Sequence, residues 1–332
     1  MSFKITILPS GREFFAEAHE TVLEAALRSG VAVRYNCNNG TCGECKARVV
    51  SGSVGELQFH DYALTEAEKY QNYTLLCSAY PGSDMVIEAE AATGTHEIPV
   101  QSVLTRVAKL ERLGEEFMVL HLRTPRTRTL RFLAGQYVRL SKPDGGLREI
   151  AIASCPCNGR ELQFHLYRDR RDPFARHVFE SWSVGQTVEL TGPYGEFTLD
   201  EGSRRPLLLV AEDTGFAPIK SLVEHAIALE LSQPMWLFWF VRRAGGHYLA
   251  NFCRSLEYAL DDFRYRPVTL TPGQDSAEAV ASTLGQVSDV AGCDLYVSAG
   301  GQLSDAVVET LAARGLDRAR MAVYPHRFRG NS

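Results

Sequence analysis

The sequence has no long apolar run, no strong excess of either charge and few cysteines. Its 332 residues hold 35 Lys plus Arg against 40 Asp plus Glu, a net charge of −5, and eight Cys. Each shortage excludes a class of protein. The most apolar stretch, Met235 to Val241, is far too short to span a bilayer, and Met1-Ser2-Phe3-Lys4-Ile5 does not lead into an apolar leader segment. A soluble, cytoplasmic protein with no membrane partner is expected. Nucleic-acid binding draws its strength from clustered Lys and Arg, so direct nucleic-acid contact is not expected either. The cysteines are too sparse for a disulfide scaffold. The chain is long enough for two or three domains, each burying a core of its own.

What is present is unevenly distributed. Residues 1–94 carry 7 basic and 12 acidic side chains, whereas 95–202 and 203–332 are close to neutral. The same acidic third holds four of the eight Cys, spaced Cys37-x4-Cys42-x2-Cys45 with Cys77 further on. Three thiolates on one tight loop and a fourth from elsewhere is the plant-type [2Fe–2S] ligand pattern. Gly40 and Gly43 let the loop backbone approach the sulfides closely. Zinc would call for paired C-x2-C units or a His, and the loop has one such unit and no His. Cys155-Pro-Cys157 is spaced as a redox pair could be, but Pro between the two thiols and the lack of a thioredoxin-like context favour ordinary buried thiols, as for Cys253 and Cys293.

The periodicity changes twice along the chain. Residues 3–9 and 12–16 alternate as a hairpin, Thr21 with Glu24 forms a capping box that starts a helix, a strand is expected at 46–50 and a helix near Thr65. Residues 91–95 read as a linker. From Ile98 to about Leu199, short alternating runs separated by Gly and Pro predict an antiparallel barrel or sandwich. From Arg205, apolar strands at 206–211, 235–241 and 294–298 alternate with helices at 218–231 and 305–314, which predicts a doubly wound sheet. Arg242-Arg243 reads as a solvated strand end, and the Arg-rich run from Arg123 to Arg131 as a solvated loop.

This order of parts, with Phe132 to Val138, Gly192-Pro-Tyr-Gly-Glu-Phe197 and Thr214-Gly-Phe-Ala-Pro-Ile-Lys220, resembles the ferredoxin-NADP reductase-like flavoproteins with an N-terminal [2Fe–2S] domain. The resemblance implies a β-grasp ferredoxin domain over 1–94, an antiparallel flavin barrel over 98–202 and a nucleotide-type α/β domain over 203–332. It also implies FAD, NAD(P)H as hydride donor, and a redox protein partner such as a ferredoxin or an oxygenase component. Cofactor contacts are implied at Tyr137, Arg148, Glu149, Ile150, Ala151, His165, Thr214 and Gly215, and metal ligands at Cys37, Cys42, Cys45 and Cys77.

The residues nearest the chemistry depart from the family pattern. Arg-x-Tyr-Ser stands here as Arg148-Glu-Ile150-Ala151, which keeps the phosphate-binding Arg and loses the stacking phenol and the hydroxyl. The second phosphate element reads Asp172-Pro173-Phe174-Ala175, without its usual hydroxyl. Gly-Gly-Thr-Gly is replaced by Glu212-Asp213-Thr214-Gly215, which puts carboxylates beside the expected pyrophosphate. Cys-Gly-Pro-Pro is replaced by Ser298-Ala299-Gly300-Gly301, and His326 stands where an acid is usual.

Two functions follow. The first is an iron–sulfur flavoprotein that has lost efficient NAD(P)H oxidation. It would act as a redox-sensing regulator, similar to a reductase-like regulator of tetralin catabolism that works with a transcriptional activator. The acidic face of the cluster domain would then be the docking surface. The second is an active NAD(P)H-dependent reductase serving an oxygenase or a deoxysugar enzyme.

Overall fold

The computed structural model describes residues 2–29, 31, 33–35, 40, 43–57, 63–89, 98, 100–125, 129–141, 146–169, 171–243 and 245–324. Cys37, Cys42, the expected linker at 91–95 and His326 lie outside the described residues.

The first unit contains β1 (Ser2–Leu8), β2 (Arg12–Glu17), α1 (Val22–Arg28), β3 (Lys46–Ser51), β4 (Val54–Leu57), α2 (Glu66–Tyr70), β5 (Tyr73–Leu75), β6 (Ala79–Pro81) and β7 (Met85–Glu88). Five strands form one sheet in the order β2-β1-β7-β3-β5, with β1 and β7 parallel, and β4 and β6 pair separately. The expected hairpin and capping box are present, because Thr21 accepts from the Glu24 N–H while the Glu24 carboxylate accepts from the Thr21 N–H. Thr65 and Glu68 repeat the device at α2. α1 lays Val22, Leu23, Ala25 and Ala26 against Ile5, Ile7 and Ile87 of the sheet, the strip of neighbouring apolar side chains that an amphipathic helix presents.

The second unit contains β8 (Gln101–Leu113), β9 (Phe117–Arg123), β10 (Tyr137–Ser141), β11 (Leu147–Ala151), β12 (Glu161–Tyr167), α3 (Pro173–Ser181) and β13 (Thr187–Tyr194). Its sheet is antiparallel throughout, in the order β11-β10-β13-β8-β9-β12, and the edge strands β11 and β12 come into contact. Alternate residues of β12, Leu162, Phe164 and Leu166, point into a core shared with Val178 and Phe179 of α3.

The third unit contains β14 (Leu207–Glu212), α4 (Phe216–Ala228), β15 (Met235–Val241), α5 (Ala250–Ala259), β16 (Phe263–Thr269), α6 (Ser276–Leu284), β17 (Asp294–Ser298), α7 (Gly301–Ala313) and β18 (Met321–Val323). All five strands are parallel, in the order β16-β15-β14-β17-β18. β14 is buried from end to end, as a central parallel strand covered by helices on both faces must be. The chain winds from β14 towards β16, then crosses to β17 on the other side. The topological switch point therefore lies between β14 and β17, and in an open α/β sheet ligands bind just beyond the strand ends at that point. No described helix is long and apolar enough to cross a membrane.

The units share seams. Ala134, Phe197 and Leu199 of the second unit lie in one apolar cluster with Leu207, Phe216 and Trp239 of the third, and Tyr137 and Ala151 pack against it. The first unit meets the others through Tyr35, whose hydroxyl is 3.2 Å from Thr129 Oγ1 and whose ring lies under Arg131 at 5.1 Å. Arg12 of β2 forms an ion pair with Glu201. Thr129 and Arg131 are both buried, which corrects the expectation of a solvated Arg-rich loop: its end is a contact between units.

Candidate functional site

Of the four expected cluster ligands, Cys45 and Cys77 are described. They are buried, with their sulfurs 3.3 Å apart. Cys45 leads into β3 and Cys77 follows β5, and the β3–β5 pairing of Lys46 with Leu75 brings them together. Gly40 and Gly43 both have positive φ. At Gly43 a Cβ would also meet the Ala63 carbonyl oxygen at 3.3 Å. The Cys77 thiol is pulled down to about 6, first by the neighbouring Cys45 sulfur and also by the Ser78 hydroxyl and the Gly40 N–H, against the opposing effect of burial. Two close sulfurs, one of them favoured as thiolate, beside a loop with left-handed glycines fit a [2Fe–2S] cluster.

The residues expected to contact the flavin form the β10–β11 ladder: Tyr137 pairs with Ala151, Val138 with Ile150, Arg139 with Glu149 and Leu140 with Arg148. Glu149 is tied to Arg139, with Nη2 at 3.0 Å, and the Arg139 guanidinium lies 4.4 Å over the Tyr194 ring. Arg148 reaches Asp172 at 2.7 Å, and Asp172 caps α3 by accepting from the Phe174 and Ala175 N–H groups. The two expected phosphate elements thus meet. Arg148 remains 44% exposed and has donors to spare, so a guanidinium beside a helix N-terminus fits the phosphates of FAD. Tyr137 and Ala151 end their strands at the seam with the third unit, where a flavin ring would face a nucleotide.

His165 lies on β12 away from that ladder. Its Nδ1 is 2.8 Å from the Tyr248 hydroxyl, its ring packs near Phe216, and its buried Nε2 has no partner among the described residues. Burial pushes the imidazole pKa well below its usual value and the Tyr248 phenol well above, so both are neutral.

Thr214 and Gly215 form a tight turn between β14 and α4, beginning at Asp213 with φ +47°. Left-handed backbone is unusual outside glycine, and a short polar Asp tolerates it better than most residues. The Asp213 carbonyl accepts from Trp239 Nε1 at 3.0 Å, and burial raises its carboxyl pKa. Glu212 is the more telling residue. Its side chain is 7% exposed, Arg242 Nε donates to its Oε1 at 2.7 Å, and the Gly300 N–H donates to its Oε2 at 2.7 Å. The carboxylate therefore bridges the end of β14 to the turn between β17 and α7, across the switch point. A Cβ at Gly300 would lie 3.0 Å from Glu212 Oε2, so a larger residue there would push the carboxylate aside by a few tenths of an ångström. Arg242, which also donates to Ser276, is not the solvated strand end expected; it neutralises Glu212. Ser298 is fully buried at the end of β17.

Residues 5–82 match the family model of the 2Fe-2S iron-sulfur cluster binding domain. The chain is 30% identical to the propane 2-monooxygenase reductase component of Gordonia sp. (strain TY-5), over 86% of this chain and 84% of that protein. It is 29% identical to the CDP-6-deoxy-L-threo-D-glycero-4-hexulose-3-dehydrase reductase of Yersinia pestis, over 83% and 82%. The chain belongs to the iron–sulfur flavoprotein reductases. Its fold matches the Amycolatopsis cytochrome P450 reductase GcoB with a TM-score of 0.61 and 26% identity, covering 97% of this chain and 98% of that one. As in this family, its cofactors are a [2Fe–2S] cluster and FAD.

Sequence reading missed the partners rather than the positions. The Glu212-Asp213 departure was visible, but not that Arg242 and the Gly300 N–H take up the Glu212 charge. The pair Cys155 and Cys157, expected as thiols, is a disulfide, which corrects that reading. Cys253 and Cys293 are buried thiols, and burial pushes Cys253 up to about 12. Neither regulation nor a transcriptional activator finds support among the relatives, which are electron-transfer reductase components.

Proposed function

We propose that the chain is the reductase component of a multi-protein system. It would take electrons from NAD(P)H and pass them through the cluster to an oxygenase, a dehydrase-type enzyme or a ferredoxin, in the cytoplasm. FAD held on Arg148 would supply the exchange between two-electron hydride and single electrons, and a [2Fe–2S] cluster on the four Cys would supply one-electron transfer. The protein's own part is positioning. Residues 1–94 would carry the cluster on Cys37, Cys42, Cys45 and Cys77. Residues 98–202 would hold the flavin phosphates on Arg148 and its ring near Tyr137, Ile150 and Ala151. Residues 203–332 would receive the nucleotide near Thr214 and Gly215, with Glu149 and neutral His165 as supports of the two sites.

The observation that carries this reading is the shared seam, where the ends of β10 and β11 pack on the core of the parallel unit. Glu212 favours a qualified form of it, in which nucleotide binds weakly because a resident carboxylate spans the crevice. Anaerobic mixing with increasing NADH, then NADPH, while following the flavin band tests it. Bleaching that saturates only at high nucleotide is expected. Bleaching by dithionite alone, at any nucleotide concentration, would refute the reductase reading and leave the redox-sensing one, whose electrons come from a protein donor.

A further inference from the structure

The Cys155–Cys157 disulfide closes a single turn at residues 156–158, and this turn packs against α1 of the cluster-bearing unit. A small apolar cleft between the units is walled by Val31, Val33 and Tyr35 on one side and Pro156, Cys157 and His225 on the other. Cys155 is buried and Cys157 half-buried. His225, buried on α4, points Nδ1 at Cys155 Sγ across 3.7 Å, and its Nε2 is 3.0 Å from Glu201 Oε1. Arg12 holds Glu201 from the cluster unit, and the Cys157 N–H donates to Cys155 Sγ at 3.2 Å. Sulfur, imidazole and carboxylate in line are the arrangement that activates a thiol.

We propose that Cys155–Cys157 is a thiol–disulfide exchange site for low-molecular-weight thiols of the glutathione class, with His225 as its proton-holding positioning residue. A thiolate attacks the more accessible Cys157 sulfur and the Cys155–Cys157 bond breaks. Cys155 leaves as a thiolate, steadied by the Cys157 N–H and protonated by His225 when the imidazole is charged. A second thiolate then attacks the small-thiol sulfur of the mixed disulfide, and Cys157 leaves as a thiolate that takes a proton from solvent. The protein gains two thiols and the small thiols leave as their own disulfide, so two electrons and two protons are transferred. The more exposed sulfur is the one attacked, and Cys155 departs because the Cys157 N–H and the His225 imidazole stabilise its thiolate against the opposing effect of burial. Disulfides in a reducing compartment are mostly redox-sensing or catalytic rather than structural, which fits the cytoplasmic location proposed above.

The groups facing His225 are Glu201 with Arg12 behind it, Glu224 and Lys220 on its own helix, and Arg131 across the cleft. Glu224 accepts from the Cys155 N–H and pairs with Lys220 at 2.5 Å. The nearest counter-charge to the imidazole is therefore Glu201.

The test equilibrates the holoprotein in buffers of decreasing oxidised-to-reduced glutathione ratio, quenches with acid, alkylates and maps peptides by mass. Cys155 and Cys157 should pass together from disulfide to doubly alkylated in one two-electron step, with the visible cluster spectrum unchanged. His225→Asn should slow the reduction step roughly 10-fold, the scale of acid–base assistance at its lower end, and added free imidazole should restore part of the rate. Thiols alkylated at every ratio, or a disulfide that excess dithiothreitol leaves intact in the native protein, would overturn the proposal without any variant. So would a wild-type reduction rate in His225→Asn.

Discussion

Two anion positions in this molecule have the same parts and opposite designs. At the flavin side, Asp172 caps α3 two and three residues ahead in sequence and meets Arg148, which stays 44% exposed. At the nucleotide side, Glu212 meets Arg242 and reaches 88 residues along the chain to the Gly300 N–H at the start of α7, with its own side chain 7% exposed. The first carboxylate is a local cap that leaves its arginine available. The second is a long-range bridge across the place where a dinucleotide would enter. A carboxylate on a helix N-terminus is satisfied by the same dipole and N–H groups that would serve a phosphate, so whether it competes with a ligand depends on what else it closes.

The comparison can be broken, and the largest lever is Arg148. Arg148→Ala should lower flavin affinity by roughly 10- to 100-fold, the scale of a charge-assisted contact to phosphate, read as flavin retained after gel filtration. Retention equal to wild type would mean that Asp172, not flavin, is what Arg148 serves. At the other position, Glu212→Gly should tighten NAD(P)H binding about 10-fold by calorimetry, since it frees the Arg242 guanidinium and the Gly300 N–H for a phosphate and opens the crevice. Asp213→Gly alone should do much less, because its backbone carbonyl rather than its side chain makes the 3.0 Å contact with Trp239. If both variants gain equally, diffuse charge and not the bridge is responsible.

A smaller contrast separates stability from binding. Asp172→Ala should cost about 1 kcal/mol by loss of the helix cap, seen as a lower Tm, while flavin affinity holds or rises. A fall in both would show that Asp172 also supports the flavin site. The last contrast, which shows only in acid, concerns His165 on β12. Its imidazole is held neutral when folded but protonates near 6.5 in the unfolded chain, so the unfolded state binds more protons below that pH. Stability is then constant above about pH 7 and lost as pH falls below about 6.5, by up to ~1.4 kcal/mol per pH unit. His165→Gln should flatten that limb of a urea-denaturation series; an unchanged slope would assign acid sensitivity elsewhere.

The parts legible in the sequence are those that depend on neighbours along the chain. The capping box at Thr21, the helix start near Thr65, the hairpin of β1 and β2 and the alternation of β12 are all local patterns, and all appear as read. Thr214 and Gly215 were placed at a strand-to-helix turn for the same reason. Helix starts were less legible: α7 begins at Gly301, four residues before the apolar pattern announces it, since its first turn has no side-chain cap.

The sequence by itself determined the cluster ligand spacing, the three kinds of unit and the positions of the altered nucleotide residues, because spacing and periodicity are properties of a short stretch of chain. Only the tertiary structure decided what those residues do. Strand order β14 beside β17 sets Glu212 against Gly300, and the packing of α4 on the turn at 156–158 sets His225 against Cys155, 70 residues away. Arg131 became a seam residue for the same reason. A charge or a thiol takes its meaning from the partner that folding brings to it, and that partner is chosen by long-range packing that no local pattern encodes.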